Sequence, residues 1–354
     1  MNPDIASPDL RIIKGKYLED ILDQPRALEA TLENLDTPQP LFDLSQGLAE
    51  GKFQRIVLTG MGSSFHALHP LNLQLISHGF TALMVETAEL IHYQSRFLDP
   101  KTLIVAVSQS GQSAEMVRLA EVNRNRSAVI AVTNTPQSPL VEHSTAALFT
   151  QAGREFSVSC KTYITALMVL KFLGDVLRQR DAKQSRRELT ITATSVAEYL
   201  KRWREHVELL ANKLRRIRHL FFVGRGASLA AVGTGALIIK ESDHFHAEGM
   251  SSAAFRHGPF EMLSEDTFVV VFSGEDKTRE LNQRLLADIQ QVGGRAEFVG
   301  ENSSLAPFRL DDHDNSIRPI LEILPVQMIT IALAALANRE AGKFERATKV
   351  TITE

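Results

Sequence analysis

Short apolar runs alternate with amphipathic segments through the first half of the chain. The runs at 55–59 (RIVLT), 103–107 (LIVAV) and 128–132 (AVIAV) are apolar and rich in β-branched residues, which is typical of strands buried on both faces of a sheet. Between the second and third runs, residues 114–125 have the period of a helix. This alternation predicts a parallel sheet with helices on both faces.

The same pattern returns in the second half at a nearly constant offset. The run at 219–223 (HLFFV) leads into GRGAS, as the run at 55–59 leads into GMGSS. The runs at 268–272 and 296–299 keep almost the same offset from the second and third runs of the first half. Three coincidences at one offset indicate a duplicated unit. We therefore predict an α/β fold of two tandem doubly wound parallel sheets flanked by helices.

Polar helical segments precede and separate the two predicted sheets. They cover residues 17–35 and 179–218, and we interpret the charged run in the second as a solvated helix face. A chain of 354 residues has room for two domains. The predicted boundaries are an N-terminal helical segment at 1–45, a first sheet domain at 46–195, a second at 196–344 and a C-terminal loop or tail at 345–354.

Composition narrows the class of protein. The net charge of −3 lacks the basic footprint of a nucleic-acid binder. A single cysteine, Cys160, excludes an intrachain disulfide and a multi-cysteine zinc site. The N-terminal stretch MNPDIASPDLRIIKG has no apolar core of the kind a signal peptide needs, and the apolar run at 329–337 is too short to span a bilayer. We expect a cytoplasmic protein with no membrane or nucleic-acid partner.

A segment rich in hydroxyl and amide groups, SQSGQS at 108–113, follows one predicted strand and precedes a predicted helix. Parallel sheets bind ligands at the carboxyl ends of their strands, and a helix N-terminus there offers free N–H groups to an anion. Gly111 lets the backbone approach closely. We interpret the segment as a phosphate cradle, although a plain helix N-cap with spare serines is the alternative. The candidate phosphate-binding residues are Gly62, Ser63, Ser64, Ser108, Gln109, Ser110 and Ser113.

The glycines after the two leading strands do not form a nucleotide fingerprint. The G-x-G-x-x-G pattern fails at Phe65 in the first copy and at Leu229 in the second, and no Walker motif occurs. No cofactor is therefore expected.

The stretch KESDHFHAEGMSSAAFRHGP at 240–259 concentrates carboxylates and histidines. Charged residues at helix ends and histidines in the core would explain this concentration. A metal site would explain it as well. Because no H-E-x-x-H pair is present, we predict no metal. Acid–base chemistry on a sugar needs a carboxylate over C1 and C2, a histidine to open the ring and a positive charge for the enediolate. Glu241, His257 and a lysine would supply these groups.

Taken together, GMGSS, SQSGQSAE, TNTPQSPL, HAEGMSSAAFRHGP and RATKVTITE resemble the sugar isomerase (SIS) family. The resemblance is to the isomerase half of glucosamine-6-phosphate synthases and to the related phosphosugar isomerases, deaminases and deglycases. It implies two flavodoxin-like sheets and a homodimer whose site is shared between subunits. The family's phosphate cradle corresponds to Ser64, Ser108, Gln109, Ser110 and Ser113. Its isomerising carboxylate corresponds to Glu241, and its C-terminal lysine corresponds to Lys349. Its ring-opening histidine, which the neighbouring subunit provides, corresponds to His257.

The chain departs from the synthase pattern at the amino-sugar end. It begins Met1-Asn2-Pro3, without an N-terminal cysteine nucleophile or a glutamine-hydrolysing domain. The family's V-A-S-T-K stretch is VSCKT here, so that Val158 is kept and Cys160 replaces a sugar-contacting serine. The resemblance implies that Val158 and Cys160 are substrate-binding residues. We expect a different substrate rather than a dead site.

The expected activity is that of an enzyme on a 6-phosphorylated ketose, aldose or amino sugar. Aldose–ketose isomerisation, deamination of an amino-sugar phosphate and cleavage of a fructosamine 6-phosphate remain open, and an amine-releasing reaction is preferred. The alternative is a non-catalytic protein that senses sugar phosphates.

Overall fold

The computed structural model describes residues 9–311, 314, 316–346, 348 and 349. The first eight residues and most of the terminal RATKVTITE motif therefore lie outside the described residues. The chain forms two compact units. The five-stranded unit comprises Gln24–Glu155, Lys161–Thr194 and Arg346–Glu354, and the four-stranded unit comprises Met1–Asp23, Phe156–Cys160 and Ser195–Glu345.

All strands of the five-stranded unit are parallel. They are β1 (Arg55–Gly60), β2 (Ala82–Glu86), β3 (Thr102–Val107), β4 (Ala128–Thr133) and β5 (Ala146–Phe149). Their order is β2-β1-β3-β4-β5, which is the flavodoxin-like doubly wound order. Every residue of the central strand β3 is buried, as its continuous apolar run predicts. The three strands predicted in this half are confirmed, and the edge strands β2 and β5 are additional.

The four-stranded unit repeats this topology. Its strands are β6 (His219–Gly224), β7 (Ala247–Ser251), β8 (Thr267–Phe272) and β9 (Arg295–Val299), all parallel. Their order is β7-β6-β8-β9, which matches the first four strands of the other sheet in chain order. The predicted fold of two tandem doubly wound sheets is therefore confirmed.

Helices cover the sheets and include the segments predicted at 17–35, 114–125 and 179–218. Their bounds are α1 (Lys16–Leu22), α2 (Gln24–Asn34), α3 (Gln39–Ala49), α4 (Gly62–His66), α5 (His69–Ser77), α6 (Thr87–His92), α7 (Ala114–Asn123), α8 (Pro139–Glu142), α9 (Lys161–Leu177), α10 (Ala182–Lys201), α11 (Trp203–Lys213), α12 (Leu229–Asp243), α13 (Ser252–Arg256), α14 (Asp276–Gln291) and α15 (Arg318–Leu336).

Helix α15 is longer than the apolar run that the sequence suggested. Its 19 residues are long and apolar enough to cross a membrane by length and composition, and it is the one such helix among the described residues. Yet 94% of its most apolar window is buried inside the protein, where it packs against α11 and α12. This burial is that of a core helix in the four-stranded unit.

Candidate functional site

The predicted phosphate cradle lies at the carboxyl edge of the five-stranded sheet. Gly60, the last residue of β1, pairs in register with Val107, the last residue of β3. A Cβ atom on Gly60 would lie 3.0 Å from the carbonyl oxygen of Val107. The turn at 61–64 and the loop at 108–113 therefore start from adjacent positions on one edge.

The loop at 108–113 is held in shape by its own serines. The Ser108 hydroxyl accepts a 3.1 Å hydrogen bond from the amide of Gly111, and the Ser110 hydroxyl accepts a 3.3 Å bond from the amide of Gln112. Gly111 has φ of +64°, a conformation that side chains rarely adopt. The loop is therefore a compact, preorganised turn at the entrance to α7.

The first turn of α7 has free hydrogen-bonding capacity. Ser113 occupies the N-cap position with an extended backbone, but its side chain makes no capping hydrogen bond. The alternative interpretation of this segment, a plain N-cap, requires that bond. Because the first amides of a helix lack intrahelical partners, this end of α7 is suited to an anion.

A third loop, which follows β4, is hydrogen-bonded to the cradle loop at 108–113. The carbonyl of Gln109 accepts hydrogen bonds from the Asn134 amide at 3.1 Å and the Thr133 hydroxyl at 3.2 Å. The amide of Leu140 donates a 3.0 Å bond to the carbonyl of Gly111. Ser138 is buried, and its hydroxyl has no hydrogen-bond partner among the described residues. These supporting residues belong to the TNTPQSPL motif, to which the sequence analysis gave no separate role, although polar residues directly after a buried strand were again the signal.

Gly62, Ser63 and Ser64 lie on the short helix α4, immediately after β1. Gly62 has φ of +52°, and all three residues are partly exposed. The structure thus places the seven predicted phosphate-binding residues in the segments that directly follow β1 and β3.

Lys349 has a partner that the sequence did not indicate. Its ammonium group forms an ion pair with the carboxylate of Glu155, whose side chain is fully buried. Glu155 also accepts hydrogen bonds from the amide and hydroxyl of Thr162, at 3.0 and 2.6 Å. All three residues belong to the five-stranded unit. Glu155 therefore holds the ammonium group of Lys349, the residue predicted to stabilise the negative charge of the enediolate.

In the four-stranded unit, Glu241 lies near the C-terminus of α12 and is partly buried. Tyr17, from α1, is close to it. Burial raises the pKa of Tyr17 well above 10.0, and negative charge on Cys160, Asp243 and Glu241 raises it further, while a hydrogen bond with Thr330 opposes the rise. The Tyr17 and Thr330 hydroxyls are 3.3 Å apart. Tyr17 thus marks one polar neighbourhood that contains two predicted site residues, Glu241 and Cys160.

Two other predicted residues of this unit differ in exposure. Val158 is fully buried, two residues before Cys160, which is fully buried as well. His257 directly follows α13, and its exposed imidazole makes no hydrogen bond or ion pair with a described residue. The structure therefore places Glu241 and Cys160 near Tyr17, and it leaves the His257 side chain without a contact to them among the described residues.

The corresponding edge of the four-stranded sheet is occupied by the protein's own carboxylates. A Cβ atom on Gly226 would lie 2.8 Å from a carboxylate oxygen of Glu275. The hydroxyl of Ser228 donates a 2.8 Å hydrogen bond to Glu322, which is buried. Burial raises the pKa of Glu322 to about 7, against the opposing effects of Arg318 and the Ser228 hydrogen bond. Glu275 is also ion-paired with Lys277 at 2.7 Å.

The part of the chain that the structure describes contains no group of three or more His, Cys, Asp or Glu side chains that could hold a metal ion.

Comparison with known proteins gives consistent matches along the chain. The SIS domain profile matches residues 50–174 and 213–307, more than half of the sequence. The isomerizing glutamine–fructose-6-phosphate aminotransferase of Pyrococcus horikoshii is 29% identical over 349 residues, covering 93% of this chain and 57% of that protein. The chain thus spans just over half the length of the curated relatives it matches.

Two solved structures share the fold. Tagatose-6-phosphate ketose/aldose isomerase from Escherichia coli has a TM-score of 0.80 at 20% identity, with coverage of 94% of this chain and 96% of that one. Glucosamine-6-phosphate deaminase from Thermotoga maritima has a TM-score of 0.77 at 19% identity, with coverage of 96% and 100%. At such identities, the likeness establishes a common architecture.

Proposed function

The chain belongs to the SIS domain family, and from this premise we propose that it is an enzyme that acts on a 6-phosphorylated sugar. The preferred reaction releases an amine from an amino-sugar phosphate or a fructosamine 6-phosphate, with aldose–ketose isomerisation as the related step. The names of its relatives and structural neighbours include an aminotransferase, an isomerase and a deaminase of sugar phosphates.

The uncapped α7 N-terminus beside the serine loop carries this proposal. A hexose 6-phosphate presents a dianionic group that needs several N–H and O–H donors. Ser108, Ser110 and Ser113 lie there with the first amides of α7, and Gly111 packs closely against Ser138 in the loop after β4. We assign the phosphate-binding role to the first copy, because Glu275 and the buried Glu322 lie at the corresponding edge of the second sheet.

Proton transfer is assigned to the four-stranded unit. We assign Glu241 to move the proton between C1 and C2, and His257 to open the sugar ring. The exposed imidazole of His257 is compatible with a role toward a ligand or a neighbouring subunit, and we propose a homodimer on the family resemblance. We assign Lys349 to stabilise the enediolate, with its position set by Glu155. A cytoplasmic location is part of this proposal.

The alternative is a protein that binds phosphosugars without transforming them. It is favoured by one observation: the ammonium group of Lys349 is already ion-paired with Glu155, which reduces the charge available to a reacting sugar. Turnover decides between the two functions.

A panel of phosphosugars tests the proposal. Glucosamine 6-phosphate, fructose 6-phosphate, tagatose 6-phosphate and a fructosamine 6-phosphate are incubated with the full chain, and ammonia, free amine and ketose are measured. We expect turnover of at least one compound and a loss of about 100-fold or more in Glu241→Gln, the size of a general acid–base contribution. Glu280→Gln, which changes an exposed carboxylate on α14, is the matched control.

Binding separates the alternatives. Ligand-induced thermal stabilisation without turnover in any member of the panel would favour the sensor, and turnover that survives in Glu241→Gln would remove the assigned mechanism. Ser108→Ala combined with Ser110→Ala should abolish the stabilisation in either case, whereas Ser144→Ala, outside the cradle, should not.

A further inference from the structure

His219 and His246 place two imidazole rings side by side at the amino edge of the four-stranded sheet. His219 is the first residue of β6, and His246 directly precedes β7. The two strands pair in parallel from the next residues onward, Leu220 with Ala247, and the Leu220 amide donates a 3.2 Å hydrogen bond to the carbonyl of His246. Because neighbouring paired strands carry the two histidines, the sheet itself fixes their relative position.

The two rings face each other through their Nδ1 atoms. These atoms lie 3.3 Å apart, the ring centroids are 5.3 Å apart, and the ring planes meet at 86°. Two nitrogens bound at about 2.0 Å to a tetrahedral zinc ion are about 3.3 Å apart, whereas neighbouring ligands of a square-planar or octahedral ion are about 2.8–3.0 Å apart. The spacing of the histidine pair therefore matches two of the four positions around a tetrahedral ion.

A carboxylate lies on the far side of one ring. An oxygen of Glu248 is 3.6 Å from Nε2 of His246. A carboxylate on this side favours the tautomer with the proton on Nε2, which leaves the lone pair of Nδ1 for a metal ion. Carboxylates orient metal-binding histidines in this way from outside the coordination sphere. Glu248 thus prepares His246 to act as a ligand through the nitrogen that faces His219.

A second carboxylate lies beside the other ring. The amide of His219 donates a 3.2 Å hydrogen bond to the backbone carbonyl of Asp266. The hydrogen bond from the Ser264 hydroxyl lowers the pKa of Asp266 most, and the charges of His219 and Arg218 lower it further. Arg218 lies 3.7 Å from this carboxylate and offsets part of its charge. With neutral imidazoles, the two carboxylates still leave these surroundings with a net negative charge, which attracts a divalent cation.

The histidine pair is open to solvent. The side chain of His246 is 52% exposed and that of Glu248 is 43% exposed, so a hydrated ion reaches the pair without displacing the core. We propose that His219 and His246 bind a zinc ion through their Nδ1 atoms, with water in the remaining positions. The ion would fasten β6 to β7 at the edge opposite Ser228, and the site is independent of the proposed phosphosugar activity.

This proposal differs from the sequence-based expectation for the stretch at 240–259. No metal was predicted there because it lacks two histidines on one helix face. The second ligand comes from 27 residues earlier in the chain, on a neighbouring strand, so a local motif does not record it. The site also has two protein ligands rather than three, and we therefore expect exchangeable binding.

Calorimetry with zinc chloride tests the proposal on the full chain, after a chelator has been used to remove metal and has been dialysed away. We expect saturable binding that His219→Gln and His246→Gln each weaken by at least about tenfold. Glu248→Gln should weaken it by about tenfold, the lower end of the effect of an outer partner. The chain has 11 histidines, so His143→Gln, at an exposed position of the five-stranded unit, is the matched control and should leave the affinity unchanged.

Two further measurements report on geometry and on stability. Cobalt(II) in place of zinc absorbs visible light strongly when it is tetrahedral and weakly when it is six-coordinate. We expect the strong absorption in the parent and its loss in His219→Gln and in His246→Gln. Zinc should also raise the thermal unfolding temperature of the parent, because it binds the folded state, and should not raise that of either variant.

Four results would overturn the inference. The absence of saturable zinc binding in the parent would refute the site, and an affinity unchanged in both histidine variants would place the ion elsewhere. An equal loss in His143→Gln would indicate nonspecific binding to histidines. A six-coordinate cobalt spectrum would contradict the tetrahedral ion. Unfolding of the metal-free variants is compared with that of the metal-free parent, so that lost affinity is distinguished from a lost fold.

Discussion

Gly111 and Ser138 approach so closely that a Cβ atom on Gly111 would lie 2.3 Å from the Ser138 hydroxyl oxygen. The cradle loop and the loop after β4 are thus fitted against each other where only a glycine is accommodated. The hydrogen bond from the Leu140 amide to the Gly111 carbonyl holds the same contact.

Gly111→Ala should therefore damage both stability and anion binding. The left-handed backbone alone costs about 1–2 kcal/mol for an alanine, and the contact with Ser138 forces the loop to move in addition. We expect hexose 6-phosphate affinity to fall by at least about tenfold, as measured by calorimetry. Gly51→Ala is the matched control, because Gly51 has φ of +79° with nothing within 4 Å of an added Cβ. Equal effects of the two substitutions on affinity would contradict the fitted contact.

Glu155 and Lys349 should act as one unit in catalysis. If Glu155 sets the position of the ammonium group, Glu155→Gln and Lys349→Met each reduce kcat, and the double variant is little worse than either single one. A coupling energy of about 1 kcal/mol or more is expected in the double-mutant cycle for residues in contact. Glu121→Gln, which changes an exposed partner of Arg118, serves as control. Additive losses would show that the ion pair has no catalytic consequence.

Lys171 should be essential to the stability of the five-stranded unit. Its side chain is 0% exposed, and its ammonium group lies 2.5 Å from Asp175 and 2.6 Å from Glu188. Lys171→Ala removes this buried cation from Asp175, which keeps Arg178 at 2.6 Å, and should lower the free energy of unfolding by about 1.5–3 kcal/mol, the size of a hydrogen bond to a charged group. Lys201→Ala, which breaks an exposed pair with Glu198, should cost less than about 1 kcal/mol in the same urea titration.

Glu322 should make stability depend on pH in a defined direction. Its pKa is about 7 in the folded chain against 4.5 for the free group, so the folded state binds more protons between these values. Stability from this residue is present below pH 4.5 and is lost as the pH rises through about 7, by up to about 3 kcal/mol.

Glu322→Gln should remove this loss, so that the variant gains stability relative to the parent above pH 7. The measurement is urea unfolding at pH 5 and pH 8, and Glu280→Gln, at an exposed position, is the control. If the free energies of unfolding of Glu322→Gln and the parent differed by the same amount at pH 5 and pH 8, the raised pKa of Glu322 would be contradicted.

The sequence predicted the central strands and one edge strand, β9, and it missed the other three edge strands, β2, β5 and β7. The edge strand β2 (ALMVE) ends in an exposed glutamate, and β5 has only four residues. In β7 (AEGMS), Gly249 interrupts the pattern because a Cβ there would lie 2.4 Å from the carbonyl oxygen of Val232. These strands form through pairing with a neighbour, which a local apolar pattern does not record.

The same distinction applies to the site. The cradle residues were predictable because serines and a glutamine directly follow buried strands, and parallel sheets bind ligands at the carboxyl ends of their strands. Glu155 was not, because its importance lies in its ion pair with Lys349, which a local motif does not record.

The carboxylates of Glu275 and Glu322 at the second sheet's edge bear on how the two halves diverged. A duplicated fold has two equivalent sheet edges, and the side chains at these edges differ here. The first edge carries Ser108, Ser110 and Ser113, whereas the second carries two carboxyl groups, so that the repeat of the backbone does not entail a repeat of the binding chemistry.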